Sequence, residues 1–127
     1  MKSVLLVFAA GGLGCVARYK LGALVLHHTI AWKFPAGTFA VNVIGCLVAG
    51  LLIGLAENHG FLTSEVRLLL FTGFLGGFTT FSAFGVETVA LMQRGDFAVA
   101  ASDVAASVVF GIVALWGAVK LAGLGSG

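Results

Sequence analysis

The sequence predicts an all-α membrane protein of four transmembrane helices, the third of them interrupted. Three observations predict it. Of the 127 residues, 60% are hydrophobic and 9% charged, against roughly 25% charged in an average soluble domain, and the mean hydropathy is +1.12. A chain of this length holds about four stretches of the ~20 apolar residues that cross a bilayer, with short connections and almost no soluble domain left over. Inside the third stretch stands Gly73–Phe84, GFLGGFTTFSAF, where paired glycines, paired threonines and a serine fall at bilayer depth. Irregular backbone is tolerated there only where it is buried in protein or lines a wet cavity. Gly76 to Ser82 is therefore the candidate for a helix break at a permeation or ion site.

The composition also excludes classes of function. A net charge of +2 with no basic run gives no footprint for nucleic acid. No nucleophile with a base, metal-ligand cluster or phosphate loop is present, so an enzyme is not expected. Cys15 and Cys46 lie in apolar surroundings and read as small packing residues.

The first span runs from about Val4 to Leu26. Its start, with Lys2 before an apolar run, has the look of a signal peptide, but the run continues through Arg18 without a clear small-residue cleavage site. Gly11, Gly12 and Gly14 give it a smooth face for close backbone packing. Arg18 either snorkels to the interface beside Lys20 or lines a water-filled vestibule and attracts anions.

His27 to Pro35 forms a short polar connection with Trp32 and Lys33, which suit an interface. Pro35 is placed to start the second span, about Ala36 to Ala56. Asn42 within it needs partners: it either hydrogen-bonds a neighbouring helix or donates to a permeating anion. Gly45, Ala49, Gly50 and Gly54 supply small-residue spacing for tight helix contact.

The second connection, Glu57 to Glu65, offers Thr63 or Ser64 as a cap for the third span, about Val66 to Gln93. His59 reads as a solvated loop residue. Phe74, Phe78, Phe81 and Phe84 fall three or four residues apart and would make one stripe on a helix. Periodicity alone assigns such a stripe to ordinary packing. Glu87 follows the break and is a functional candidate unless it sits near the interface.

Arg94 to Asp96 is a tight turn. The fourth span runs from about Phe97 to Leu121, with Ser102 and Asp103 read as interfacial and Ser107 deeper. One domain, 1–122, is thus followed by a flexible tail, 123–127, whose last Gly-Ser-Gly reads as an appended remnant. No internal repeat is present. Lys2, Arg67 and Lys120 on one side face Arg18, Lys20, Lys33 and Arg94 on the other, three against four. Orientation follows the lysine and arginine distribution, so this near-balance predicts insertion both ways and an antiparallel two-fold homodimer.

Three stretches, GGLGCVARY at Gly11–Tyr19, GTFAVNVIG at Gly37–Gly45 and GFLGGFTTFSAF at Gly73–Phe84, resemble the CrcB/Fluc fluoride channels. They occur in the right order, one in each of the first three spans. The resemblance implies a four-helix protomer in a dual-topology antiparallel homodimer with two pores. It implies passive export of fluoride across the bacterial inner membrane, relieving fluoride toxicity. Phe81 and Phe84 match the family's pore phenylalanines, Asn42 its pore asparagine and Arg18 its first-span arginine. Thr80, Ser82 and Ser107 are candidates for its polar track. The resemblance further implies a structural sodium ion (Na+) at the dimer centre, held by the carbonyls of Gly76 and Thr79 from both subunits. Ala83 stands where the family commonly has threonine, which removes a hydroxyl there.

The chemistry is coherent beside that resemblance. Aromatic rings carry a positive edge, so successive phenylalanine edges can line the path of a small anion. Fluoride is strongly hydrated, and neutral donors such as the Asn42 amide and hydroxyls can replace its water without trapping it. A small multidrug-type, proton-coupled antiporter is the alternative four-span dimer. It needs a carboxylate deep in the bundle, and the first span has none. A membrane scaffold explains the glycine faces but not the Thr79–Thr80 interruption.

Overall fold

A computed structural model describes residues 1–125, which form helices and short turns with no strand among them. The elements are α1 (Lys2–His28), α2 (Ala36–His59), α3 (Ser64–Arg67), a π-helical segment (Leu68–Leu75), α4 (Gly76–Phe78), α5 (Phe81–Gln93) and α6 (Phe97–Leu124). Four spans, Lys2–His28, Ala36–His59, Ser64–Gln93 and Phe97–Leu124, are long and apolar enough to cross a membrane.

Local chemistry sets the ends of these elements. Pro35 caps α2, and its carbonyl accepts the Phe39 N–H at 3.1 Å. The helix runs three residues past the expected Ala56, because the first residue able to stop it is Gly60, whose φ of 61° is left-handed. Thr63 is the cap of α3, its hydroxyl accepting the Val66 N–H at 3.3 Å. Gly95, with φ 83°, turns the chain between α5 and α6, and Lys33 Nζ reaches Asp96 Oδ1 there at 3.0 Å. The last helix continues to Leu124, with Asn58 Nδ2 donating to the Ala122 carbonyl at 3.0 Å. Of the expected Gly-Ser-Gly remnant, Ser126 and Gly127 lie outside the described residues.

Glycine faces bring the spans together. The most extensive packing is α2 on α6. A methyl at Gly50 would strike the Leu115 carbonyl, and one at Gly54 would meet the Val119 carbonyl at 2.6 Å. On the other side, α1 packs on the π-helical segment and α4. There Gly14 lies against the Phe74 carbonyl and Gly77 against the Gly11 carbonyl, so backbone meets backbone with no room for a Cβ. Gly12 takes no part in this contact, as nothing lies within 4 Å of a Cβ placed on it. The interrupted third span is thus held between α1 and the α2–α6 pair.

Candidate functional site

Between α4 and α5 the chain straightens over two residues. Thr79 has φ −84°, ψ 154° and Thr80 has φ −148°, ψ 110°, both extended. Extended residues in a helical span forfeit their ladder of hydrogen bonds, and each orphaned group in a dry setting is costly. Side chains from three spans supply the partners. Asn42 Nδ2 donates to the Thr80 carbonyl at 3.0 Å, and Asn42 Oδ1 accepts the Thr80 N–H at 2.8 Å. This is the pairing that a neighbouring β-strand would give. The Thr80 hydroxyl caps α5 by accepting the Ala83 N–H at 3.2 Å. Thr79 returns its hydroxyl to the Leu75 carbonyl at 2.9 Å. From α1, Arg18 Nε donates to the Gly77 carbonyl at 3.2 Å.

Three clefts open around this point. The first, of about 280 Å³, is lined by Asn42, Thr79, Thr80, Phe81, Phe84 and Ser107 among others. The Phe81 and Phe84 rings stand 5.6 Å apart at 42°, and Phe81 is 84% exposed on the single chain. Ser82 does not join them. It is exposed, with its Oγ 3.5 Å from Thr80 Oγ1. The expected single stripe of four phenylalanines is absent, because the extended residues divide it. Phe74 and Phe78 stack at 6.0 Å and 11° on one side, with Phe78 buried, while Phe81 and Phe84 pair on the other.

The second cleft, of about 360 Å³, is lined by Arg18, Gly37, Thr38, Thr80, Ala83 and Glu87 among others. Thr38 donates to Glu87 Oε1 at 2.7 Å, while Glu87 Oε2 is buried without a hydrogen-bond partner. Thr80 lines both clefts. The third cleft, about 240 Å³, is bounded by Gly45, Cys46, Leu75, Gly76, Thr79 and Leu115 among others. Gly76 and Thr79 therefore come together, and Cys46 lines both this cleft and the first.

Asp103, near the start of α6, is shielded by the chain itself. Its side chain is 1% exposed, fixed between the Ser107 hydroxyl at 3.1 Å and the Thr88 hydroxyl at 3.4 Å. It lies on the face of α6 turned toward α5, where burial rather than position along the helix decides its surroundings. Ser102, by contrast, is exposed and bonds back to the Val99 carbonyl at 2.8 Å.

Residues 5–119 match the family described as CrcB-like protein, Camphor Resistance (CrcB). The chain belongs to the CrcB family. A relative named "Fluoride-specific ion channel FluC" from Methylobacillus flagellatus is 50% identical over 116 residues, covering 91% of each chain. Another of that name, from Nitratidesulfovibrio vulgaris, is 41% identical over 127 residues, covering 100% of this chain and 98% of its own. A third, from Geobacter sulfurreducens, is 43% identical over 123 residues, covering 96% and 98%. These CrcB relatives are named as ion channels, not as enzymes.

Within this CrcB fold, sequence reasoning brought Asn42, Thr80, Phe81, Phe84 and Ser107 to one place, and they share one cleft. It missed Thr38, whose only signal was a hydroxyl four residues before Asn42 on the same helix. It also left Glu87 without a partner, since the Thr38 contact spans two distant segments.

Proposed function

We propose that this protein is a fluoride-selective channel of the bacterial inner membrane, letting fluoride leave the cell passively and so relieving its toxicity. The observation that carries the reading is the first cleft. It gathers an asparagine amide, a threonine, a serine and two phenylalanines with no lysine or arginine among its lining residues. Phenylalanine edges and neutral donors suit a small anion that must enter and leave. Asn42 has two Nδ2 hydrogens, one of them committed to the Thr80 carbonyl, so the other is the donor it can offer an ion. Arg18 stands on the second cleft, beyond Thr80, and would draw anions toward the path.

The channel works as an antiparallel homodimer with two pores. The nearly even positive charge of the two sides supports insertion in both orientations. The 84% exposure of Phe81 on a single chain supports a second chain closing the path. A structural sodium ion fits the donor chemistry of the third cleft, where the carbonyls of Gly76 and Thr79 are hard oxygen ligands. One chain would bring this pair, and a two-fold partner would double the set. Such an ion would neutralise carbonyl oxygens left in a dry interface.

The test is efflux from vesicles loaded with potassium fluoride or potassium chloride, each anion followed by electrode after a potassium ionophore is added. Fluoride release with almost no chloride release is the expected result. No movement of either anion, together with uptake of a cationic dye driven by a pH gradient, would replace the channel by an antiporter. Membership of the CrcB family, with relatives named as fluoride channels, does not favour that alternative.

A further inference from the structure

Asp103 is the most deeply buried ionisable side chain among the described residues, at 1% exposure. No lysine, arginine or histidine among those residues lies within ion-pair distance, as the two pairs they form are Lys2–Glu65 and Lys33–Asp96. A buried carboxyl group must be satisfied by hydrogen bonds, and here the Ser107 hydroxyl donates one while the Thr88 hydroxyl lies nearby. Ser107 Oγ donates to Oδ1 at 3.1 Å from one turn along the same helix. Thr88 Oγ1 approaches Oδ2 at 3.4 Å from α5, while the same hydroxyl donates to the Phe84 carbonyl at 2.8 Å. The one Thr88 hydrogen goes to the Phe84 carbonyl, so the hydroxyl hydrogen that Asp103 holds is the one from Ser107.

That bond has a directional consequence. A serine hydroxyl has one hydrogen. At Ser107 it is committed to Asp103, so the oxygen presents lone pairs, not a hydrogen, to the cleft it shares with Asn42, Thr80, Phe81 and Phe84. An anion in that cleft meets donors at Asn42 and an acceptor at Ser107. We propose that Asp103 is a positioning residue for the permeation path: by holding the Ser107 hydrogen it keeps that hydroxyl from donating to fluoride, and so limits conduction. This rests on the reading of the cleft as a fluoride path.

The test uses the full-length protein in vesicles and compares fluoride efflux. Asp103→Leu removes the acceptor at similar size and frees the Ser107 hydrogen to turn toward the cleft. The expected result is a rise of about threefold, the scale of one net neutral hydrogen bond. The rise disappears in the double variant Asp103→Leu/Ser107→Ala, and Asp103→Asn, which keeps an acceptor oxygen, gives less than half of it. Asp103→Val, smaller and equally without an acceptor, gives the same answer if the leucine variant does not assemble. An equal or lower rate for both apolar variants overturns the proposal, as does a rise that survives loss of the Ser107 hydroxyl. A rise as large in Asp103→Asn also overturns it, by making the charge and not the acceptor the cause. No fluoride efflux from the unaltered protein overturns the channel reading itself, and this inference with it.

Discussion

One carboxamide serves both main-chain groups of one residue: Asn42 accepts the Thr80 N–H at 2.8 Å and donates to the Thr80 carbonyl at 3.0 Å. Asn42→Asp keeps the acceptor and replaces the donor by an oxygen facing the carbonyl oxygen. Leaving a buried carbonyl unpaired costs about 1–3 kcal/mol; the Thr80 carbonyl is part-buried, which places the loss at the lower end, and like partial charges add to it. The variant is expected to unfold at lower temperature in detergent and to carry less fluoride. Wild-type values for both would make the pairing incidental.

Phe81 and Phe84 are expected to act through their ring edges and not through bulk. Phe81→Ile and Phe84→Ile keep apolar volume and lose the positive edge. Each should lower fluoride efflux by about tenfold, equivalent to ~1.4 kcal/mol on the barrier, while the elution volume of the assembly stays the same. Unchanged efflux would remove the rings from the mechanism.

Two glycines separate packing from composition. A methyl on Gly77 would strike the Gly11 carbonyl, whereas one on Gly12 finds nothing within 4 Å. Gly77→Ala is expected to cost about 1–3 kcal/mol, the usual scale of overpacking. Gly12→Ala should cost nothing measurable, and thermal unfolding of the two variants side by side makes the comparison.

Arg18 and Lys20 are two residues apart but differ in role. Arg18 Nε holds the Gly77 carbonyl at 3.2 Å, while Lys20 is exposed. Arg18→Lys retains the charge and loses the planar guanidinium that makes this bond. Hydrogen bonds to charged groups contribute ~1.5–3 kcal/mol, so a clear loss of thermal stability is expected in Arg18→Lys and none in Lys20→Ala. Equal melting of Arg18→Lys and the unaltered protein would return Arg18 to a purely electrostatic part.

Much of this was legible because lipid simplifies the problem. Hydropathy finds spans, and Pro35, Thr63 and Gly95 mark where they start and turn. The residues of the first cleft were legible through motif resemblance and through polar groups with no purpose in a plain helix. The π-helical segment Leu68–Leu75 was not, since an apolar run carries no signal for wider turns. The burial of Asp103 was not legible either, because distance along a helix says nothing about which face a neighbour covers. The sequence offers Arg18 both lipid interface and vestibule, because its bond to Gly77 joins residues 59 apart in the chain.

The straightened pair Thr79–Thr80 also divides an electric property of the span. A continuous helix would place its partial charges, about half an elementary charge at each end, on opposite sides of the membrane. Here a negative pole ends at Phe78 and a positive pole begins at Phe81, only two residues further on. The interior of the bundle so gains a region friendly to cations beside one friendly to anions. Neither requires a fixed ionised side chain at that depth, where such a charge is costly to bury. A single local defect in one helix is enough to polarise the centre of the protein.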